Sequence, residues 1–268
     1  PLTTPSVFVC YDMIPEVLRF DPTQPIWRQK GRAIGMARAF IAISHTSALD
    51  LLWFHPHMER CPGLVAHCGT DFAPAPPAAV AEFRRDHGLD RPYVLSSGMR
   101  GDYKNVLLLF RALAHMGSLR DQLAIVCCGG RPTLEPELAA LAADTPVKLV
   151  RLDDAALQAA YTGAAALVYP SLYEGFGLPP LEALACGTPV IAAPAPAVVE
   201  VCGDAAIYVA PRNPAGLARE LARVLGDGSV RAVLAARGTA RAARFTWTTM
   251  AANIASFLRG LPTTTATP

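Results

Sequence analysis

Tyr169-Pro170-Ser171-Leu172-Tyr173-Glu174-Gly175-Phe176-Gly177-Leu178-Pro179-Pro180-Leu181-Glu182-Ala183 carries two carboxylates eight positions apart across a glycine-bearing loop. The apolar run Ala164 to Tyr169 reads as the strand that feeds the loop, and Leu181 to Cys186 as the helix that leaves it. A strand, a Gly-rich turn and a helix N-terminus together favour anions, because unpaired backbone N–H groups and the positive end of the helix dipole act at the same place. Glycine at 175 and 177 lets backbone approach a ligand where a Cβ would clash. Glu182, one turn into the helix, is suited to accept hydrogen bonds from vicinal hydroxyls such as those of a ribose. Glu174, at the start of the loop, suits a second polyol, and two polyols joined by a diphosphate make a nucleotide sugar. The same spacing also occurs on α/β surfaces that bind nothing, so spacing alone leaves a plain turn open.

The 268 residues are 52% hydrophobic and 17% charged, enough for two domains or one large one. Short runs of Leu, Val and Ile alternate with helical patterns, which argues for an α/β fold with mainly parallel strands. These runs are Tyr93 to Gly98, Leu123 to Cys128, Val147 to Val150, Ala164 to Tyr169, Pro189 to Ala192 and Ala206 to Val209. They form a doubly wound sheet, with ligands expected beyond the carboxyl ends of the strands. A net charge of +2 gives no electrostatic case for nucleic acid as a partner. No apolar run approaches the ~18 residues of a spanning helix. Seven cysteines form an odd set without a Cys-x-x-Cys pair, which reads as buried free thiols in a reducing, cytoplasmic compartment. His55, His57, Cys61, His67 and Cys68 crowd one region, but their spacing matches no common zinc site, and a loop with core thiols is the preferred reading. No Ser-His-Asp triad is suggested.

Val7 to Tyr11 reads as a strand, with Asp12 available to cap the next helix. Pro25 to Arg38 is amphipathic, with Ile26 and Trp27 in register with Ile34; Ala39 to Ile43 is a second apolar run, and Ser44 opens a capped helix. The proline cluster Ala73 to Pro77 cannot be helix interior. Asp227 to Arg244 and Trp247 to Arg259 read as terminal helices, and Thr263 to Pro268 as a disordered tail. Between a strand and a helix lies Gly98-Met99-Arg100-Gly101-Asp102-Tyr103-Lys104-Asn105. Fixed cations stabilise a departing diphosphate where water is excluded, which suits Arg100 and Lys104; a solvated turn with two surface cations is the plainer alternative. Gly129-Gly130 can admit a base or simply make a tight turn, and Asp153 or Asp154 is best explained as a helix cap.

The segment from Tyr169 to Ala183, with Ala185 to Ile191 and Glu200 to Ala206, resembles the Glu-x7-Glu signature of retaining glycosyltransferases of the GT-B fold, the large family of nucleotide-sugar-dependent hexosyltransferases. Gly-x-Arg-x-x-Tyr-Lys-Asn recurs in one branch of that family; other branches place the arginine directly after the glycine, where this chain has Met99, which makes Lys104 the firmer of the two cations. The resemblance implies two Rossmann-like lobes, the first incomplete, because the strands and Gly-rich loop that open it in the family have no counterpart here. The expected organisation is a partial acceptor-side lobe and linker over 1–75, a nucleotide-sugar-binding lobe over 76–245, and a helix returning to the first lobe over 246–268. It implies transfer of a hexose, with a leaning to GDP-mannose over UDP-sugars, to a hydroxyl on a glycan or lipid-linked acceptor, with retention and without metal or other cofactor. Glu174, Arg100 and Lys104 are the implied catalytic set, and Gly98, Gly175, Phe176, Gly177, Leu178 and Glu182 the implied donor contacts. Asp12 is the acceptor-side candidate, although the family often has a histidine before it where this chain has Tyr11. Peripheral membrane contact through the first lobe is also implied. Two other classes fit less: a truncated module that binds nucleotide without turnover, and a sugar-nucleotide epimerase, for which no poised set of carboxylates and histidines is found.

Overall fold

The computed structural model describes residues 6–262, and the tail expected to be disordered at 263–268 lies outside the described residues. The chain divides into two units. The first takes in the chain up to Gly69, the loop segment Glu174–Phe176 and the chain from Phe245 onward; the second is Thr70–Tyr173 and Gly177–Arg244. The boundary expected at residue 75 therefore falls earlier, before the proline cluster. Residues 174–176 group with the first unit although their sequence neighbours belong to the second.

The first unit has a parallel sheet of β1 (Val7–Cys10), β2 (Ala39–Ala42) and β3 (Gly63–Val65), in that spatial order. The central strand is wholly buried, which is why Ala-Phe-Ile-Ala shows no polar alternation. Helix Pro25–Met36 starts at a proline, where the missing N–H costs nothing, but of its anticipated apolar residues only Ile34 is buried and Ile26 is 60% exposed. Helix His45–Phe54 begins at Ser44, whose Oγ accepts from Ser47 N at 2.9 Å. Cys10, Met13, Ile34, Phe40, Leu51 and Met58 form the core. Helix Trp247–Gly260 belongs to this unit, and Gly69 passes so close to Thr246 and Trp247 that a Cβ there would lie 2.8 Å from Thr246 Cα.

The second unit holds six parallel strands: β4 (Tyr93–Ser97), β5 (Ala124–Cys128), β6 (Val147–Val150), β7 (Ala166–Tyr169), β8 (Val190–Ala192) and β9 (Ala206–Tyr208). Their spatial order is β6-β5-β4-β7-β8-β9. The chain lays β5 and β6 to one side of β4, then returns to the other side for β7, β8 and β9. β5 and β7 are buried at every residue, as strands covered on both faces must be. The core joins Val94, Leu109, Phe110, Ile125, Val168 and Ile191 from the sheet and its covering helices. The strand expected from Ala164 starts at Ala166, because helix Asp154–Gly163 runs up to that point. Asp153 caps this helix, its Oδ1 accepting from Ala156 N at 2.9 Å.

Six of the seven free cysteines are buried, Cys10 and Cys68 in the first unit and Cys127, Cys128, Cys186 and Cys202 in the second. Among the described residues, no helix is long and apolar enough to cross a membrane. Leu109→Ala empties a fully buried site in the second unit and is expected to cost about 2–5 kcal/mol of stability. Urea denaturation measures this, and a loss below about 1 kcal/mol would contradict the packing described.

Candidate functional site

In a doubly wound sheet, ligands bind outside the carboxyl ends of the strands where the strand order reverses. Here that point lies between β4 and β7. The ladder between them joins Val94 to Ala166 and Leu95 to Leu167 and stops there, whereas β4 and β5 stay paired through Ser97 and Cys128. The strands therefore part at their carboxyl ends. The two loops singled out in the sequence, after Ser97 and after Tyr169, leave from the lips of this opening.

Gly98 has φ +102°, a conformation closed to most side chains, and its N–H donates to Cys128 O at 2.9 Å. Asn105 takes the left-handed conformation, φ 53° and ψ 30°. Its Nδ2 donates to Pro170 O at 3.1 Å and Pro211 O at 3.0 Å, and Leu172 N donates to Tyr103 O at 2.7 Å. The loops after β4 and β7 are thus tied to each other by backbone carbonyls. Lys104 is half-buried and folds back over Gly98, where an added Cβ would lie 4.0 Å from Nζ. Its ammonium stands 5.2 Å from the Tyr103 ring centre and 5.6 Å from that of Tyr169, and donates to Tyr169 Oη at 3.5 Å. The two aromatic faces attract the ammonium and help to hold it in place.

Arg100 has a different task from the one expected. Its guanidinium is buried, with Nε donating to Glu135 Oε2 at 3.0 Å, Nη1 to Gly129 O at 2.9 Å, and Nη2 to Thr133 O at 2.9 Å and to Arg131 O. Four of its five N–H groups are therefore committed to loop 129–135 and none of these acceptors is a ligand. Burial works to raise the Glu135 carboxyl, but the Arg100 hydrogen bond and charge leave it below its usual range. The guanidinium thereby holds the turn containing Gly129 and Gly130 (φ +87° and +74°).

Within the first unit, Ser44 Oγ and Ser47 Oγ both donate to Gly175 O, at 2.6 and 2.8 Å. A Cβ on Gly175 would collide with Tyr11 O and lie 2.8 Å from Asp12 Cβ, so no other residue fits. In a trans peptide the carbonyl and the next N–H point opposite ways, so anchoring Gly175 O turns Phe176 N–H away from the serines. Phe176 packs with the rings of His67 and Phe245, each 6.0 Å away. Glu174 is 8% exposed. Asp12 Oδ1 accepts from Ile14 N at 2.9 Å, a local turn two residues before the helix Ile14–Val17.

In the second unit, Gly177 (φ +121°) starts helix Leu178–Ala185, which begins three residues earlier than its apolar pattern suggests. Pro179 and Pro180 occupy the first turn, where a missing N–H is tolerated, and this removes two of the donors a helix N-terminus normally offers. The backbone donors left ahead of the prolines are the N–H groups of Gly177 and Leu178. Glu182, in the following turn, accepts from Tyr161 Oη at 3.1 Å through Oε2. Burial raises the Glu182 carboxyl above its ordinary value, against the lowering effect of the Tyr161 bond. The bond from Tyr161 to Glu182 carries no local pattern in the sequence, and Ser171, within the glycine-loop stretch, has a buried Oγ without a hydrogen-bond partner among the described residues.

The reversal of strand order brings Lys104, Gly177 at a helix start and the half-buried Glu182 onto neighbouring elements of a parallel α/β sheet. Residues 80–241 match the family described as Glycosyl transferases group 1, and the chain belongs to that family. It is 28% identical over 250 residues to the O-antigen chain mannosyltransferase B of Escherichia coli, covering 90% of this chain and 65% of the relative. It is 34% identical over 261 residues to the D-inositol 3-phosphate glycosyltransferase of Thermobispora bispora, covering 88% and 59%. The chain thus spans less than two thirds of either relative. Among solved structures, Anabaena HepE in complex with UDP and glucose superposes with a TM-score of 0.82 over 96% of this chain and 72% of that one, at 22% identity. WaaG, a glycosyltransferase involved in lipopolysaccharide biosynthesis, superposes with a TM-score of 0.77 over 96% and 76%, at 18% identity. The fold is that of the GT-B glycosyltransferases, α/β with parallel sheets.

Arg100→Lys keeps the charge but cannot reach the acceptors of loop 129–135 together, so a loss of about 2–4 kcal/mol is expected. Urea denaturation checks this; a loss below about 1 kcal/mol would show that the loop holds without the guanidinium.

Proposed function

We propose that the protein transfers a hexose, mannose by preference, from a nucleoside-diphosphate sugar to a hydroxyl of a glycan or lipid-linked acceptor, with retention and without a metal. The observation that carries this reading is the placement of Lys104, Gly177 and Glu182 on the elements that leave the β4/β7 reversal. Lys104 and the backbone N–H groups from Gly175 to Leu178 stabilise the departing diphosphate, and Gly98 leaves room for it. Glu182 accepts from the ribose hydroxyls, and Glu174, three residues before Gly177, holds hydroxyls of the sugar. The bond from the anomeric carbon to the diphosphate oxygen breaks while the acceptor oxygen bonds to the same face. The leaving phosphate oxygen takes the acceptor's proton, so no protein nucleophile is required. Positioning and fixed charge do the catalytic work.

A GDP-sugar is preferred over a UDP-sugar because Tyr103-Lys104-Asn105 resembles the branch of the family associated with GDP-mannose, and one relative is an O-antigen chain mannosyltransferase. HepE was solved with UDP and glucose, which makes UDP the comparison nucleotide. The second reading is nucleotide binding without turnover.

Calorimetric titration of the 268-residue chain with GDP and with UDP, in the absence of metal, is expected to give saturable binding that is tighter for GDP. Lys104→Ala and Glu182→Ala are each expected to weaken it about tenfold or more, since both remove charge-assisted contacts. Absence of binding to either nucleotide, or unchanged affinity in both variants, overturns the site. A transfer assay with GDP-mannose then separates the two readings: binding without transfer selects the second.

A further inference from the structure

We infer that Tyr161 is a positioning residue for the nucleotide: its phenol, donated to one carboxylate oxygen of Glu182, directs the other oxygen towards the ribose diol. The inference rests on the reading of Glu182 as the ribose acceptor and adds the group that makes it one.

Tyr161 belongs to helix Asp154–Gly163, and its side chain is fully buried. The residue is held at three points besides its hydroxyl. Its carbonyl accepts from Thr188 Oγ1 at 2.6 Å and from Ala164 N at 3.0 Å, and its ring packs edge-on against Phe72 at 6.0 Å. The phenol is therefore a fixed donor, and Glu182 Oε2, 3.1 Å away, is its acceptor. A glutamate on a short helix otherwise has three freely turning side-chain dihedrals, and ordering them opposes ligand binding. A bond from a fixed neighbour removes that cost before the nucleotide arrives.

The same bond acts on charge. Burial drives the Tyr161 hydroxyl well above its ordinary pKa, and the negative charge of Glu182 adds to this; the Ser97 hydroxyl at the end of β4 opposes it. The phenol accordingly stays protonated and always donates. The groups that face Glu182 are Tyr161 and Asp154 from one helix, Cys128 from β5 and Cys186 from its own helix. Burial raises both thiols, Cys186 to about 12, so they stay neutral. Burial, with the charge of Asp154, raises the Glu182 carboxyl, and only the Tyr161 bond pulls it down. The carboxylate is the form that accepts from a diol without competing as a donor. Affinity for a ribonucleotide should therefore fall as pH falls, starting at higher pH than for an ordinary glutamate. Removing the phenol hydroxyl should move that fall to still higher pH.

The test compares GDP with 2′,3′-dideoxyguanosine diphosphate, titrated from pH 5 to pH 8 into the full chain and into the Tyr161→Phe, Glu182→Gln and doubly substituted variants. Phenylalanine keeps the ring and its packing, and the dideoxy nucleotide reports whether base and diphosphate contacts survive. In Glu182→Gln, GDP binding weakens about tenfold or more while dideoxy binding is little changed. In Tyr161→Phe, GDP binding weakens about three- to tenfold, its fall with acid moves to higher pH, and dideoxy binding holds. The double variant is no weaker than Glu182→Gln. If Tyr161→Phe matches the unmodified chain in both the GDP-to-dideoxy ratio and the pH profile while Glu182→Gln is weakened, the role of Tyr161 is overturned and the ribose reading stands. If Glu182→Gln leaves GDP binding unchanged, or the unmodified chain binds no GDP, the ribose reading fails and the role of Tyr161 with it.

Discussion

The reversal of strand order about β4 is the constraint on which the second unit depends. Once β5 and β6 have been laid to one side and β7 to the other, two crossovers must leave the sheet in opposite directions from adjacent strands. The ladder from β4 to β7 ends at Leu95 and Leu167, and beyond it the two strands are paired only with their outer neighbours β5 and β8, not with each other. Backbone polar groups at such a place need other partners, and the structure provides them locally. Asn105 reaches Pro170 O and Pro211 O, Leu172 N reaches Tyr103 O, and Gly98 N reaches Cys128 O. These bonds keep the opening from collapsing and hold Lys104 against Tyr103 and Tyr169.

The glycine loop meets a different constraint at each end. Gly175 is required because its backbone runs against Tyr11 and Asp12 and its carbonyl is taken by two serines of the first unit. Gly177 is required because the chain must turn through φ +121° to enter the helix. Pro179 and Pro180 then fix the first turn and remove its N–H groups, which leaves the dipole in place and the hydrogen-bond donors in the loop.

Much of this is legible in the residues. The apolar runs at 93–98, 123–128, 147–150 and 189–192 are strands to within a residue or two, because buried parallel strands carry an unbroken apolar signal. The caps at Ser44 and Asp153 are visible as side chains with a defined local partner. Arg100 misleads because sequence gives a side chain's charge but not the direction in which it folds, and here the guanidinium turns to loop 129–135. The bond from Tyr161 to Glu182 gives no signal, since the two residues are separated by a helix end and a strand and the contact exists only once the sheet is assembled. The joining of 174–176 to the first unit is likewise a tertiary fact, invisible to any local pattern.

The buried thiols give the fold an internal clock. Burial holds Cys10, Cys127, Cys186 and Cys202 near pKa 12 and Cys68 near 11, so at ordinary pH almost none of these sulfurs is a nucleophilic thiolate while the chain is closed. A thiol reagent can then consume them only as fast as each unit opens. Cys10 and Cys68 lie in the first unit and Cys127, Cys128, Cys186 and Cys202 in the second, so the sulfurs consumed record where the chain has opened.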